Sequence, residues 1–91
     1  MQTHELPILN EREKTHGSFS LNAEKSQFLR SWFRQCPAWD KMCPEHKESL
    51  DMIALKISRI LSGQAEYFDH WKDIAGYAKL SEEACPKTLP P

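Results

Sequence analysis

Between Leu50 and Leu80 the chain reads LDMIALKISRILSGQAEYFDHWKDIAGYAKL, two helical stretches that meet at one glycine, Gly63. Counting outward from Gly63, Lys56 and Arg59 precede the bend by two turns and one, and Asp69 and Asp73 follow it at comparable heights. An antiparallel helical hairpin brings these four charges to one seam. Two cations and two carboxylates beside a core serve either as a structural ion-pair ladder or as a place to hold a phosphate and a metal.

Ninety-one residues make one domain, 1–91, in which helix-on-helix packing must supply the whole core. So small a core makes a second copy, as a homodimer or higher oligomer, an expected partner. With 40% hydrophobic and 27% charged residues the chain reads as globular rather than disordered. A net charge of -1 gives no basic field, which argues against duplex nucleic acid as a partner. No apolar run reaches the roughly 18 residues of a membrane span, and the start MQTHELP lacks the features of a signal peptide. A membrane partner is therefore not expected, and a cytoplasmic location is. Cys36, Cys43 and Cys85 form no CxxC pair and fit reduced thiols.

The punctuation predicts an all-α fold: a small bundle of three main helices, the last two forming a C-terminal antiparallel hairpin. A short N-terminal helix within His4–Gly17 is a further expected element, in a less ordered segment covering 1–19. Ser20 reads as the N-cap of a helix through Gln35, with Leu21, Phe28, Leu29, Trp32 and Phe33 as its core face and Pro37 ending it. The stretch CPAWDKMCP reads as a loop, with Trp39 either tucked against the core or offered to a partner. Pro44 opens a second helix reaching about Ser62, and a third runs from about Tyr67 to Ala84 with Phe68, Trp71, Ile74, Ala75 and Ala78 facing inward. The tail 86–91 is proline-rich, and no stretch alternates with period two as a strand would.

Asp69, Asp73 and Tyr77 recur at four-residue spacing, which places two carboxylates and a phenol on one helical face. Mg²⁺ takes one or two carboxylates plus waters and phosphate oxygens, so these aspartates with Lys56 and Arg59 suit a Mg-phosphate ligand. A surface ion-pair ladder is the commoner use of such stripes. Glu45, Glu48 and Asp51 form a second acidic set, whose simplest role is to offset the helix dipole. Cys36, Cys43 and His46 match no common zinc spacing, and no zinc is expected. Neither His46 nor His70 is tied to a cysteine by sequence.

Three elements in this order resemble a known group: T-H-G at Thr15–Gly17, K-I-S-R at Lys56–Arg59, and D-H-W-K-D-I-A-G-Y at Asp69–Tyr77. The chain resembles small phage proteins and the family called nucleotide modification-associated domain 1. It is more remotely similar to MazG-type all-α nucleoside triphosphate pyrophosphohydrolases, which are helical and bind Mg²⁺ through acidic residues on paired helices. That likeness implies a phage or prophage origin, Asp69 and Asp73 as metal ligands, Lys56 and Arg59 as phosphate contacts, and Tyr77 as an orienting or packing group. The chain departs from the MazG pattern in lacking its E-E-x-x-E element, offering only Glu45 and Glu48. The expected function is binding, with or without hydrolysis, of a phosphorylated nucleotide with Mg²⁺ in the bacterial host cytoplasm. The alternative is a non-enzymatic phage inhibitor of a host enzyme or defence complex, contacting it through an exposed surface around Trp39 or through the acidic helix faces.

Overall fold

The computed structural model describes residues 18–87. The N-terminal helix expected within His4–Gly17, the T-H-G element and the end of the tail lie outside the described residues. Three long helices follow one another: α1 (Phe19–Gln35), α2 (Pro44–Arg59) and α3 (Phe68–Glu83). There is no strand among the described residues, and the fold is a small all-α bundle. α2 is central, packed by α1 on one side and α3 on another.

Local chemistry explains the boundaries. Ser18, rather than Ser20, precedes the first helical residue of α1, and its carbonyl accepts the Asn22 amide at 2.9 Å. Pro37 stops α1 but does not leave a loop: Pro37–Lys41 winds into a single 3₁₀ turn, closed by the Met42 amide on the Trp39 carbonyl at 3.1 Å. Pro44 stands at the start of α2 with Glu45 in its first turn, and Lys56 and Arg59 occupy its last turn, so the charges at both ends oppose the helix dipole favourably. The helix then widens into a π turn over Ile60–Gln64 instead of continuing to Ser62, and Gly63 breaks it with φ 111°. That backbone angle is one an L side chain rarely adopts. The Trp71 indole N–H donates to the Ala65 carbonyl at 2.8 Å, fastening α3 to the link that follows the bend.

The most deeply buried side chains of the helices are small or polar, with larger apolar ones such as Leu29, Leu50, Ile53, Ile57 and Ile74 half-buried around them. Ala54 and Ser58 of α2 are 0% exposed, and Asn22, Ser26, Ser49 and His70 are buried beside them. Short side chains let helix axes approach closely, and two of the buried hydroxyls find carbonyls. Ser58 Oγ donates to the Leu55 carbonyl at 2.6 Å, and Ser49 Oγ crosses to the Tyr77 carbonyl of α3 at 3.2 Å. The expected core faces of α1 and α3 are corrected by this arrangement. Leu21, Phe28 and Trp32 on α1, and Phe68, Trp71, Ala75 and Ala78 on α3, face away from α2. Leu29, Phe33 and Ile74 are half-buried.

Trp39 is buried, at 7% exposed. Phe33 stacks on its ring with centroids 5.8 Å apart, the Arg34 guanidinium lies 4.7 Å from the ring centroid, and the Lys47 ammonium lies at 6.0 Å. Of the two placements the sequence leaves open for Trp39, the structure has the indole tucked against the core: the 3₁₀ turn directs it onto α1, where it closes one end of the bundle.

Candidate functional site

The hairpin forms, and among the described residues one ion pair joins its two helices across the seam. Lys56 Nζ lies 2.8 Å from Asp73 Oδ2, joining the last turn of α2 to the middle of α3. The Lys56 side chain is 12% exposed and that of Asp73 45% exposed, so the ammonium is drawn up from within the bundle to a carboxylate that also faces solvent. The hydrogen bond from Lys56 holds the Asp73 carboxyl below the usual carboxylate range, and the charges of Lys56, His70 and Lys72 act in the same direction. Arg59 does not reach Asp69, which stands half-buried in the first turn of α3.

Asp73 and Tyr77 line an open groove of about 460 Å³ together with Lys72, Gly76 and Leu80. Lys72 is exposed at the same rim, so the groove presents a second ammonium near the carboxylate. Tyr77 is fixed from behind, its carbonyl held by Ser49. Behind Asp73, His70 is 1% exposed and meets the Tyr67 ring edge-on at 4.9 Å between centroids. No group of three or more His, Cys, Asp or Glu side chains positioned to hold a metal occurs among the described residues. Two carboxylates one turn apart on a helix, Asp69 and Asp73, fit a largely hydrated Mg²⁺ completed by ligand oxygens, not a closed cage.

The second acidic set does not act together. Asp51 is gripped by α1: Arg34 makes a two-pronged contact with its carboxylate at 3.0 and 2.7 Å, and Arg30 Nη2 donates to its carbonyl at 2.9 Å. Glu45 and Glu48 are exposed. This clamp escaped the sequence reading, although two arginines four residues apart on α1 announced a cationic face seeking an acid. A further contact not anticipated ties the two ends of the hairpin: His46 Nε2 lies 3.0 Å from the Ser81 carbonyl, with Cys85 Sγ 3.6 Å from the same nitrogen. All three cysteines are free thiols.

The Asp73 pair predicts a specific acid response. A carboxyl whose pKa is lowered by folding contributes stability at pH values above its unfolded pKa of about 3.9, and that contribution is lost as pH falls through the folded value. In urea titrations Asp73→Asn should therefore unfold earlier than the parent at pH 7, with the difference closing in strong acid. A gap that stays constant down to pH 2 would mean the carboxylate charge contributes nothing.

Fold and groove together define a small all-α protein with a cation–carboxylate pair at the mouth of an open groove. The chain belongs to the family described as Domain of unknown function (DUF6378), whose profile matches residues 1–85. No curated protein and no solved structure matches it. No helix among the described residues is long and apolar enough to cross a membrane.

Proposed function

We propose that the groove beside α3 binds a phosphorylated nucleotide with Mg²⁺. The observation that carries this reading is the ionised, half-exposed Asp73, paired to Lys56 at 2.8 Å and standing in a groove with Lys72, Gly76, Tyr77 and Leu80. Each feature has a use in such a complex. Asp73 and Asp69 hold the hydrated cation, Lys72 and Lys56 balance phosphate charge, and Tyr77 and Leu80 offer an apolar surface for a base. Gly76 leaves that wall without a side chain, with nothing within 4 Å of where a Cβ would stand. Arg59, at the end of α2, serves as a secondary phosphate contact. The resemblance to nucleotide modification-associated domain 1 and to MazG-type enzymes supports a setting in phage nucleotide metabolism or signalling. Turnover, where present, would use Mg²⁺ to polarise the phosphate. A host-directed inhibitor is the weaker reading, because Trp39, one of its expected contacts, is buried.

The test is thermal denaturation of the full chain with nucleoside di- and triphosphates, with and without Mg²⁺. A ligand that binds only the native state at a hundred times its Kd adds about 2.7 kcal/mol. In a chain of this size that raises Tm by roughly 10 °C or more. The expected result is a Mg²⁺-dependent rise that is lost in Asp73→Asn and reduced in Lys72→Ala. The absence of any shift across the nucleotide set would leave the Lys56–Asp73 pair a structural bridge.

A further inference from the structure

The distribution of side chains is inverted for a molecule that works as a single chain. The buried residues are chiefly serines, an asparagine and a histidine, with Trp39 and Ala54 the only buried hydrophobic residues among those described. Phe19, Leu21, Phe28, Trp32, Leu61, Phe68, Trp71 and Leu80 are all exposed, at 49–79%. Buried polar residues and exposed large apolar patches are the informative departures from ordinary burial.

Five of these residues, Leu21, Phe28, Trp32, Phe68 and Trp71, fall into two stripes. On α3, Phe68, Trp71, Ala75 and Ala78 stand at i, i+3, i+7 and i+10, a continuous stripe opposite the buried His70. On α1, Leu21, Phe28 and Trp32 stand at i, i+7 and i+11, opposite the buried Asn22 and Ser26. The α3 stripe is built for another helix. Its alanines permit close approach of a backbone, and its largest member is already held in place, because the Trp71 indole is hydrogen-bonded to Ala65 at 2.8 Å. A side chain fixed before association loses little freedom on binding.

We infer that the α1 and α3 stripes are the contact surfaces through which copies of this chain assemble. Area favours this occupant. A fully buried aromatic side chain covers about 150–250 Å². At the observed exposures the five large side chains of the two stripes, Leu21, Phe28, Trp32, Phe68 and Trp71, hold on the order of 600 Å² of apolar surface, about the apolar share of the roughly 800 Å² per partner in a stable complex. The chain's own first seventeen residues carry only Met1, Leu6, Ile8 and Leu9 as large apolar side chains, too few to cover two stripes. A second copy brings matching stripes of its own, and a two-fold axis pairs identical surfaces. The assembly itself does not depend on the nucleotide reading, and its test uses no nucleotide.

Light scattering coupled to size exclusion, on the full chain at tens of micromolar, should give twice the chain mass of 10.6 kDa or a higher multiple. Ala75→Glu and Phe28→Glu place a charge in each stripe at exposed positions, and should lower the mass toward 10.6 kDa with the helical circular dichroism retained. Dilution of the parent should red-shift tryptophan emission as Trp32 and Trp71 become wet, which tests the same surfaces if a variant fails to fold. A monomeric parent, or emission that does not change on dilution to a monomeric mass, overturns the inference. A mass unaltered in both folded variants overturns it equally.

Discussion

Trp39→Ala should nearly abolish the folded state. The indole is 7% exposed, stacked on Phe33 and covered by the Arg34 guanidinium at 4.7 Å, and it is the only large hydrophobic side chain that is buried rather than half-buried or exposed among the described residues. Removing a buried tryptophan costs about 3–5 kcal/mol. Domains are held by about 5–15 kcal/mol, and one this small lies toward the lower end. The urea midpoint should collapse toward zero, with near-ultraviolet circular dichroism lost before the far-ultraviolet helical signal. Arg34 would keep its two contacts with Asp51, so the α1–α2 clamp alone would remain at that end. An unfolding free energy within about 1 kcal/mol of the parent, from the midpoint and urea slope, would show that the 3₁₀ turn rests on the bundle without supporting it.

Ala54→Leu is expected to be nearly as damaging for the opposite reason. Ala54 is 0% exposed on the central helix, where small side chains set the distance to its neighbours. Inserting three heavy atoms in a closed interior costs about 1–3 kcal/mol, more where the backbone cannot shift. The variant should also loosen the Lys56–Asp73 pair, since that contact depends on how closely α2 and α3 approach. Ala54→Ser, nearly the same volume as the parent, is the control. Urea denaturation should rank parent, Ser and Leu in descending stability, and a leucine variant as stable as the parent would reveal unfilled space beside α2.

The helices were legible in the sequence because prolines and Gly63 mark their ends with backbone chemistry that operates locally. What the sequence did not disclose was the direction of each apolar face. Periodicity identifies the stripe Phe68, Trp71, Ala75 and Ala78, but the same period describes a face packed within the chain and one left for another molecule. The small polar residues that fill the interior, Ser26, Ser49 and Ser58, have no hydrophobic signal to register.

The charged seam was half legible for a geometric reason. Counting residues from Gly63 gives height along the axis but not direction around it. Four residues turn a helix through about 400°, which leaves Asp69 about 40° further round from the packed face than Asp73. Lys56 therefore meets Asp73, and Arg59, next to the π turn, does not meet Asp69. The Arg30–Arg34 clamp on Asp51 joins residues more than sixteen positions apart across the 3₁₀ turn, a distance over which pattern gives little guidance.

At Gly63 the hairpin reverses in the opposite handedness from the rest of the chain. Its φ of 111° and ψ of 7° are the mirror image of the bridge region that ordinary residues enter. A D-amino acid at this one position, introduced by chemical synthesis of the 91-residue chain, would find there its own natural conformation. D-alanine would also narrow the range of shapes open to the unfolded chain, favouring the folded hairpin from the other side of the equilibrium.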